Sequence, residues 1–179
     1  LRLRQLKSLL GNALFLRLLS AWFVNGLANG IPAALFFLYL EYGLGVAEDM
    51  RPRFILVYFL AAIAAIPLWL RLSRSRGKHR TWCYAMILAC AAFAVVPTLP
   101  AGSETAFMLI CILPGAALGA DLALPPAIQA DVADYDRWRF GTDRTGVQFA
   151  LWGMATKLAL AAAVGLALPS LAWMGFDPE

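Results

Sequence analysis

Apolar residues run along this chain in five long stretches, at about 13–40, 54–70, 82–99, 105–130 and 147–173, with short polar segments between them. A helix needs about 20 apolar residues to cross the hydrocarbon layer, because it rises 1.5 Å per residue. The pattern therefore predicts an all-α membrane protein with five transmembrane helices. The first, fourth and fifth stretches are long enough to tilt or kink. Pro32, Pro67, Pro114, Pro125 and Pro126 fall inside spans, where neighbouring helices or local water must satisfy the freed backbone groups. The polar segments are an acidic loop with Glu41, Glu48 and Asp49, a basic loop at 71–80, a short turn near Pro100, and a charged connector at 131–146.

Composition agrees with lipid as the solvent. Hydrophobic residues make up 61% of the chain and charged residues 15%, against roughly 45–50% and 25% in soluble domains. The formal net charge of +4 is spread by loop, which gives no patch for nucleic acid. Cys83, Cys90 and Cys111 lie in apolar spans without a CxxC spacing, and the single histidine, His79, sits in the basic loop. With no HExxH and no two-cysteine ligand pair, a metal site, a disulfide framework and an enzyme are all disfavoured. No initiator methionine or cleavable leader is visible, and the start reads as the middle of a longer protein.

Cations set the expected orientation. Arg2, Arg4, Lys7 and Arg17 flank the first span, Arg71, Arg74, Arg76, Lys78 and Arg80 fill the second-to-third loop, and Arg137, Arg139 and Arg144 lie in the last connector. Only Arg51 and Arg53 fall on the opposite side. By the positive-inside rule the N-terminus is cytoplasmic and the C-terminal GFDPE emerges outside a cell membrane. Five spans leave the two ends on opposite faces, which hints at a missing helix.

Lys157 stands alone in 147–176 as a charge inside an apolar run. A lysine at a helix centre costs about 2.5–3.5 kcal/mol on insertion scales, so such residues face a partner, a watery cavity or a substrate. Asp121 is the second intramembrane charge. It lies ten residues before Asp131, and Lys157 lies thirteen after Arg144, which puts both roughly 15–20 Å from the cytoplasmic boundary. They could form an ion pair, share a polar cavity, or never meet. Trp22, Asn25 and Asn29 recur at helical spacing on the first span, a face with the chemistry of a sugar pocket. The competing reading is helix–helix packing through the Gly26–Gly30 GxxxG. Gln129 and Trp152 are further cavity candidates, with core packing as the alternative. Asp131, Asp134, Tyr135, Asp136, Arg137, Arg139, Asp143 and Arg144 could be a solvated loop or a cytoplasmic gate.

The stretch from Pro67 to Thr81 resembles the short basic cytoplasmic loop of the major facilitator superfamily, with Gly77 at the turn and Arg76, Lys78 and Arg80 beside it. Ala130-Asp131-Val132-Ala133-Asp134-Tyr135, then Gly141-Thr142-Asp143-Arg144-Thr145-Gly146, then Lys157-Leu158 is similar to the glycoside–pentoside–hexuronide:cation symporters, the group of the melibiose permease. The resemblance covers nearly the whole chain. It implies helices 7–11 of 12, a partial C-terminal transmembrane domain over 1–179. It also implies that Lys157 lies at the sugar cavity, and that a coupling Na+ or H+ binds mainly in an N-terminal half lying outside this chain. Asp143 stands at the family's arginine position, with Arg144 one residue later, and Thr145 replaces a frequent acid.

The expected object is a major facilitator half-bundle that takes part in cation-coupled symport of a sugar or glycoside. Lys157, Asp121, Asn25, Asn29 and Trp22 would meet substrate, and Asp131, Asp134, Tyr135, Arg137, Arg144, Arg76, Lys78 and Arg80 would gate. Its partners are the bilayer, the rest of the transporter and a sugar-like substrate. The alternatives are a lipid or pigment-precursor carrier of the same superfamily and a non-transporting structural subunit.

Overall fold

The structure, a computed structural model, describes residues 11–176. Arg2, Arg4 and Lys7 of the charge partition and Asp177-Pro178-Glu179 of the expected outer end lie outside the described residues. Among the described residues five α-helices follow one another: α1 Ala13–Leu38, α2 Arg51–Arg76, α3 Lys78–Val95, α4 Glu104–Phe140 and α5 Thr145–Trp173. Among the described residues there is no strand. With their terminal turns, the five are long and apolar enough to cross a membrane. The chain is thus an all-α membrane protein of the expected class.

Helix ends are set by identifiable residues. Asn12 opens α1, its Oδ1 accepting the backbone N–H of Phe15 at 3.1 Å, the usual work of an N-cap. α1 leaves through a π-helical turn over Tyr39–Gly43, and Gly45, at φ 70°, stops it. Pro52 lies in the first turn of α2, where its missing N–H costs nothing. Beside it, Arg51 Nη1 bonds Glu41 at 2.9 Å.

Two expectations are corrected here. The basic loop at 71–80 is helix on both sides of one residue, Gly77, whose φ of 84° only glycine adopts without strain. The charged connector is helical as far as Phe140, and the chain turns at Gly141, φ 64°, whose N–H bonds the Arg137 carbonyl at 3.0 Å. Hydropathy marks where lipid ends, whereas a helix ends where the backbone is broken. At 37 residues, α4 is about 55 Å long against a hydrocarbon core of about 30 Å, so its charged end projects beyond lipid.

The chain divides into two compact units, Leu1–Phe36 with Gln129–Glu179, and Phe37–Ile128. In the first, α1 packs on α5 through small residues. A Cβ placed on Gly26 or Gly30 would lie 2.9 Å and 2.6 Å from the methyls of Ala159 and Ala163. In lipid no hydrophobic force drives helices together, so close backbone approach and dispersion must. In the second unit, Gly115 and Gly119 of α4 meet the carbonyls of Tyr58 and Ala62 on α2 in the same way. Trp69 Nε1 donates to the Ala116 carbonyl at 2.7 Å. Tyr39 and Phe54 flank Phe107, with ring centroids 5.2 and 5.8 Å away.

Candidate functional site

Polar side chains of the first unit form a series of rungs along α5. At its start, Arg144 is buried against Asp136: Nη2 lies 2.6 Å from Oδ1 and Nε 2.9 Å from Oδ2. Asn12 Nδ2 adds a third bond to Asp136 Oδ1 at 2.7 Å. The guanidinium carbon of Arg144 also sits 4.5 Å from the Phe140 ring centroid. Three helix ends, those of α1, α4 and α5, thus meet on one carboxylate. Such a bidentate pair compensates its desolvation through geometry and extra bonds.

One turn along, Gln129 Nε2 donates to Gln148 Oε1 at 3.3 Å. Both residues are fully buried, and Gln129 Oε1 and Gln148 Nε2 have no hydrogen-bond partner among the described residues. Above them Trp22 stacks on Trp152, with centroids 4.6 Å apart and planes 17° from parallel. Trp22 Nε1 donates to Thr156 Oγ1 at 2.8 Å, whose hydroxyl donates to the Trp152 carbonyl at 2.9 Å. One face of the Trp22 ring is therefore spent on packing. Asn25 is buried and Asn29 half-buried on the same helix.

Lys157 differs from all of these. It is exposed and has neither a hydrogen bond nor an ion pair among the described residues. The buried stripe of α5 runs through Gln148, Trp152, Ala155, Ala159, Ala163 and Ala167. Lys157 is two positions from both Ala155 and Ala159, about 200° around the helix, so it leaves the seam on the far side. Trp22, Asn25, Asn29 and Lys157 all belong to the first unit, and Asp121 belongs to the second. There Asp121 Oδ1 accepts the indole N–H of buried Trp82 at 2.6 Å.

The expected gating residues separate by environment. Arg137 pairs with Asp143 at 2.8 Å on the surface, and Arg139 donates to the Tyr135 hydroxyl at 3.1 Å. Asp131 and Asp134 are exposed. In the second unit Arg76 and Arg80 are exposed, while Lys78 Nζ reaches the Ala127 carbonyl at 3.4 Å. Asp143 titrates below the usual carboxylate range, chiefly because its side chain accepts the Thr145 backbone N–H, with the Thr145 hydroxyl and Arg137 adding to this.

Sequence reasoning missed the anchoring roles of Asn12, Asp136, Trp82 and Thr156. Asn12 offered a readable signal as an N-cap residue ahead of an apolar run. The spacing G-A-A-L-G at 115–119 was equally legible as a close-packing motif. Which of the seven connector charges pairs with which was not, since the pairing depends on the helix running on to Phe140.

The profile of the family described as MFS/sugar transport protein matches residues 2–179. Among curated proteins, the chain is 24% identical over 174 residues to the sodium-dependent lysophosphatidylcholine symporter 1-A of Danio rerio. That match takes in 96% of this chain and 32% of the relative, so the chain spans about a third of that protein's length. No solved structure matches.

Proposed function

The chain belongs to the MFS/sugar transport protein family, and from that premise we propose that it forms part of a cation-coupled secondary transporter whose substrate carries an anionic group bound by Lys157. The reading rests on one observation: an ammonium in the middle of an apolar helix, exposed on the face away from the packing seam and without a hydrogen bond or ion pair among the described residues. A cation kept at that depth is stabilised when an anion arrives. Alternating access about a site between two bundles then moves the substrate with no bond made or broken. The remaining half of the bundle would supply the opposite wall and the coupling Na+ or H+ site. The N-terminus would face the cytoplasm and the end of α5 the outside. Labelling at Ser75 and Gly102, each changed to cysteine, should then come from opposite sides of the membrane.

Two substrate classes fit. A uronide-type sugar offers a carboxylate to Lys157, with Asn25, Asn29 and Trp22 nearby on α1 for hydroxyls and ring. A lysophospholipid offers a phosphate, and the name of the Danio rerio relative favours this class. Exposed Asp131 and Asp134 would gate at the cytoplasmic end, while Arg144, committed to Asp136, would hold its own unit together. Uptake driven by a sodium gradient, with a glucuronide and lysophosphatidylcholine as competing substrates, separates the two classes. Competition by neither one, with uptake of neutral glycosides only, would contradict the anion reading.

A further inference from the structure

Three arginines stand where α4 turns into α5, and they differ in what holds them. Arg144 is buried on Asp136, and Arg137 is paired with Asp143. Arg139 has no carboxylate partner among the described residues. Its Nη1 donates to the neutral Tyr135 hydroxyl at 3.1 Å, and its guanidinium carbon lies 5.8 Å from the Phe140 ring centroid. Tyr135, Arg139 and Phe140 line one side of a cavity of about 190 Å³, and Gly11–Leu14, at the start of α1, line the other. The lining is two-natured, with a guanidinium and a phenol beside the exposed side chains of Leu14 and Phe140. Next to it Trp138 is 79% exposed, its ring 5.9 Å from that of Tyr135. An open indole among cations at the end of an apolar helix is the composition of a membrane–water interface.

The depth agrees. Tyr135 lies five residues past Ala130, about 7 Å along the helix, within a headgroup layer of roughly 5–8 Å on each side. Arg139 starts further out, but side chains on a helix lean toward its N-terminus, here toward the membrane. Leu14 begins the apolar span of α1.

We propose that this cavity binds the phosphate headgroup of an anionic phospholipid from the cytoplasmic leaflet, with Arg139 as its cation and with Leu14 against the start of the acyl chains. The inference rests on the membrane placement proposed above and not on what is transported.

The test is native mass spectrometry of the protein released from bilayers of equal phosphatidylglycerol and phosphatidylcholine. The unchanged protein should retain phosphatidylglycerol in preference. Arg139→Gln should lower that retention about five-fold, the effect of one surface cation near an anionic leaflet, with phosphatidylcholine and melting temperature unchanged. Arg53→Gln, an exposed arginine at the start of α2, should retain phosphatidylglycerol as the unchanged protein does. Equal retention by Arg139→Gln, or an equal loss in Arg53→Gln, overturns the site. Full displacement by excess inorganic phosphate would make it a site for the free anion and overturn the lipid assignment. Ser75 and Gly102 labelling checks the orientation separately, so failure of the site and failure of the placement give different results.

Discussion

Arg144, at the N-cap of α5, and Lys157 within it lie thirteen residues apart, and the two cations meet opposite conditions. Arg144 is buried and holds a carboxylate through two bonds, in a cluster that joins three helix ends. Lys157 is exposed, sits in an apolar run and touches no acid among the described residues. A charge satisfied inside its own unit serves the fold, because moving it would leave a buried ion uncompensated. A charge left unsatisfied in the middle of a span is what the proposed substrate site requires. The comparison separates a scaffold at the start of α5 from the face in its middle that is proposed above to meet substrate.

The largest expected effect lies in the scaffold. Arg144→Ala or Asp136→Ala should each destabilise the folded protein by about 3–5 kcal/mol, since the surviving partner stays buried and charged. Replacing both with apolar residues of similar size should be much milder. Thermal unfolding in detergent micelles reads the difference, and additive losses in the double variant would mean that the pair is not the unit described.

Next comes the seam that aims the Lys157 face. Gly30→Leu would drive side-chain atoms into Ala163 and should cost about 1–3 kcal/mol through overpacking. Gly153, on the same helix but with nothing within 4 Å of an added Cβ, should accept alanine with little change. A comparable loss at Gly153 would break the distinction between a packed and an open side of α5.

The Gln129–Gln148 rung lies between the two cations in character, being buried like Arg144 but only half satisfied. Gln129→Leu alone should destabilise by about 1–3 kcal/mol, the cost of orphaning Gln148, while Gln129→Leu with Gln148→Leu should be close to neutral. Equal destabilisation by the single and the double variant would show that the amides are worth more than their one bond.

The smallest effect belongs to Asp143, on the surface beside the clamp. Its folded pKa lies below its unfolded value. The stability it contributes is therefore present above the unfolded carboxylate pKa of about 3.9 and lost as pH falls through the lower folded value. Asp143→Asn should remove that slope in an acid titration of the melting temperature. An unchanged slope would assign it to other carboxylates.

Much of this architecture could be read in advance, and the parts that could not share a cause. The five apolar stretches announced five helices because lipid leaves the backbone no other partner. Lys157 was visible as the one charge in its run. The helical course of 131–140 was hidden, because solvated Asp and Arg carry no hydropathy signal and only Gly141 breaks the backbone. Once that course is unknown, the Asp136–Arg144 pair is unknowable. The bond from Trp82 to Asp121 spans 39 residues, and a single sequence without aligned relatives gives no hint of such a contact.

The most direct test of the contrast is Lys157→Ala in the full-length transporter, scored for folded yield and for sodium-driven uptake in the same membranes. A buried structural lysine would lose both, whereas a ligand-binding one loses only transport. We expect yield and melting temperature within the scatter of the unchanged protein and uptake lowered at least about ten-fold, the loss of one charge-assisted contact of about 1.5–3 kcal/mol. Lys157→Arg should keep part of the uptake. Normal uptake by Lys157→Ala, or a loss of folded protein matching that of Arg144→Ala, would contradict the account.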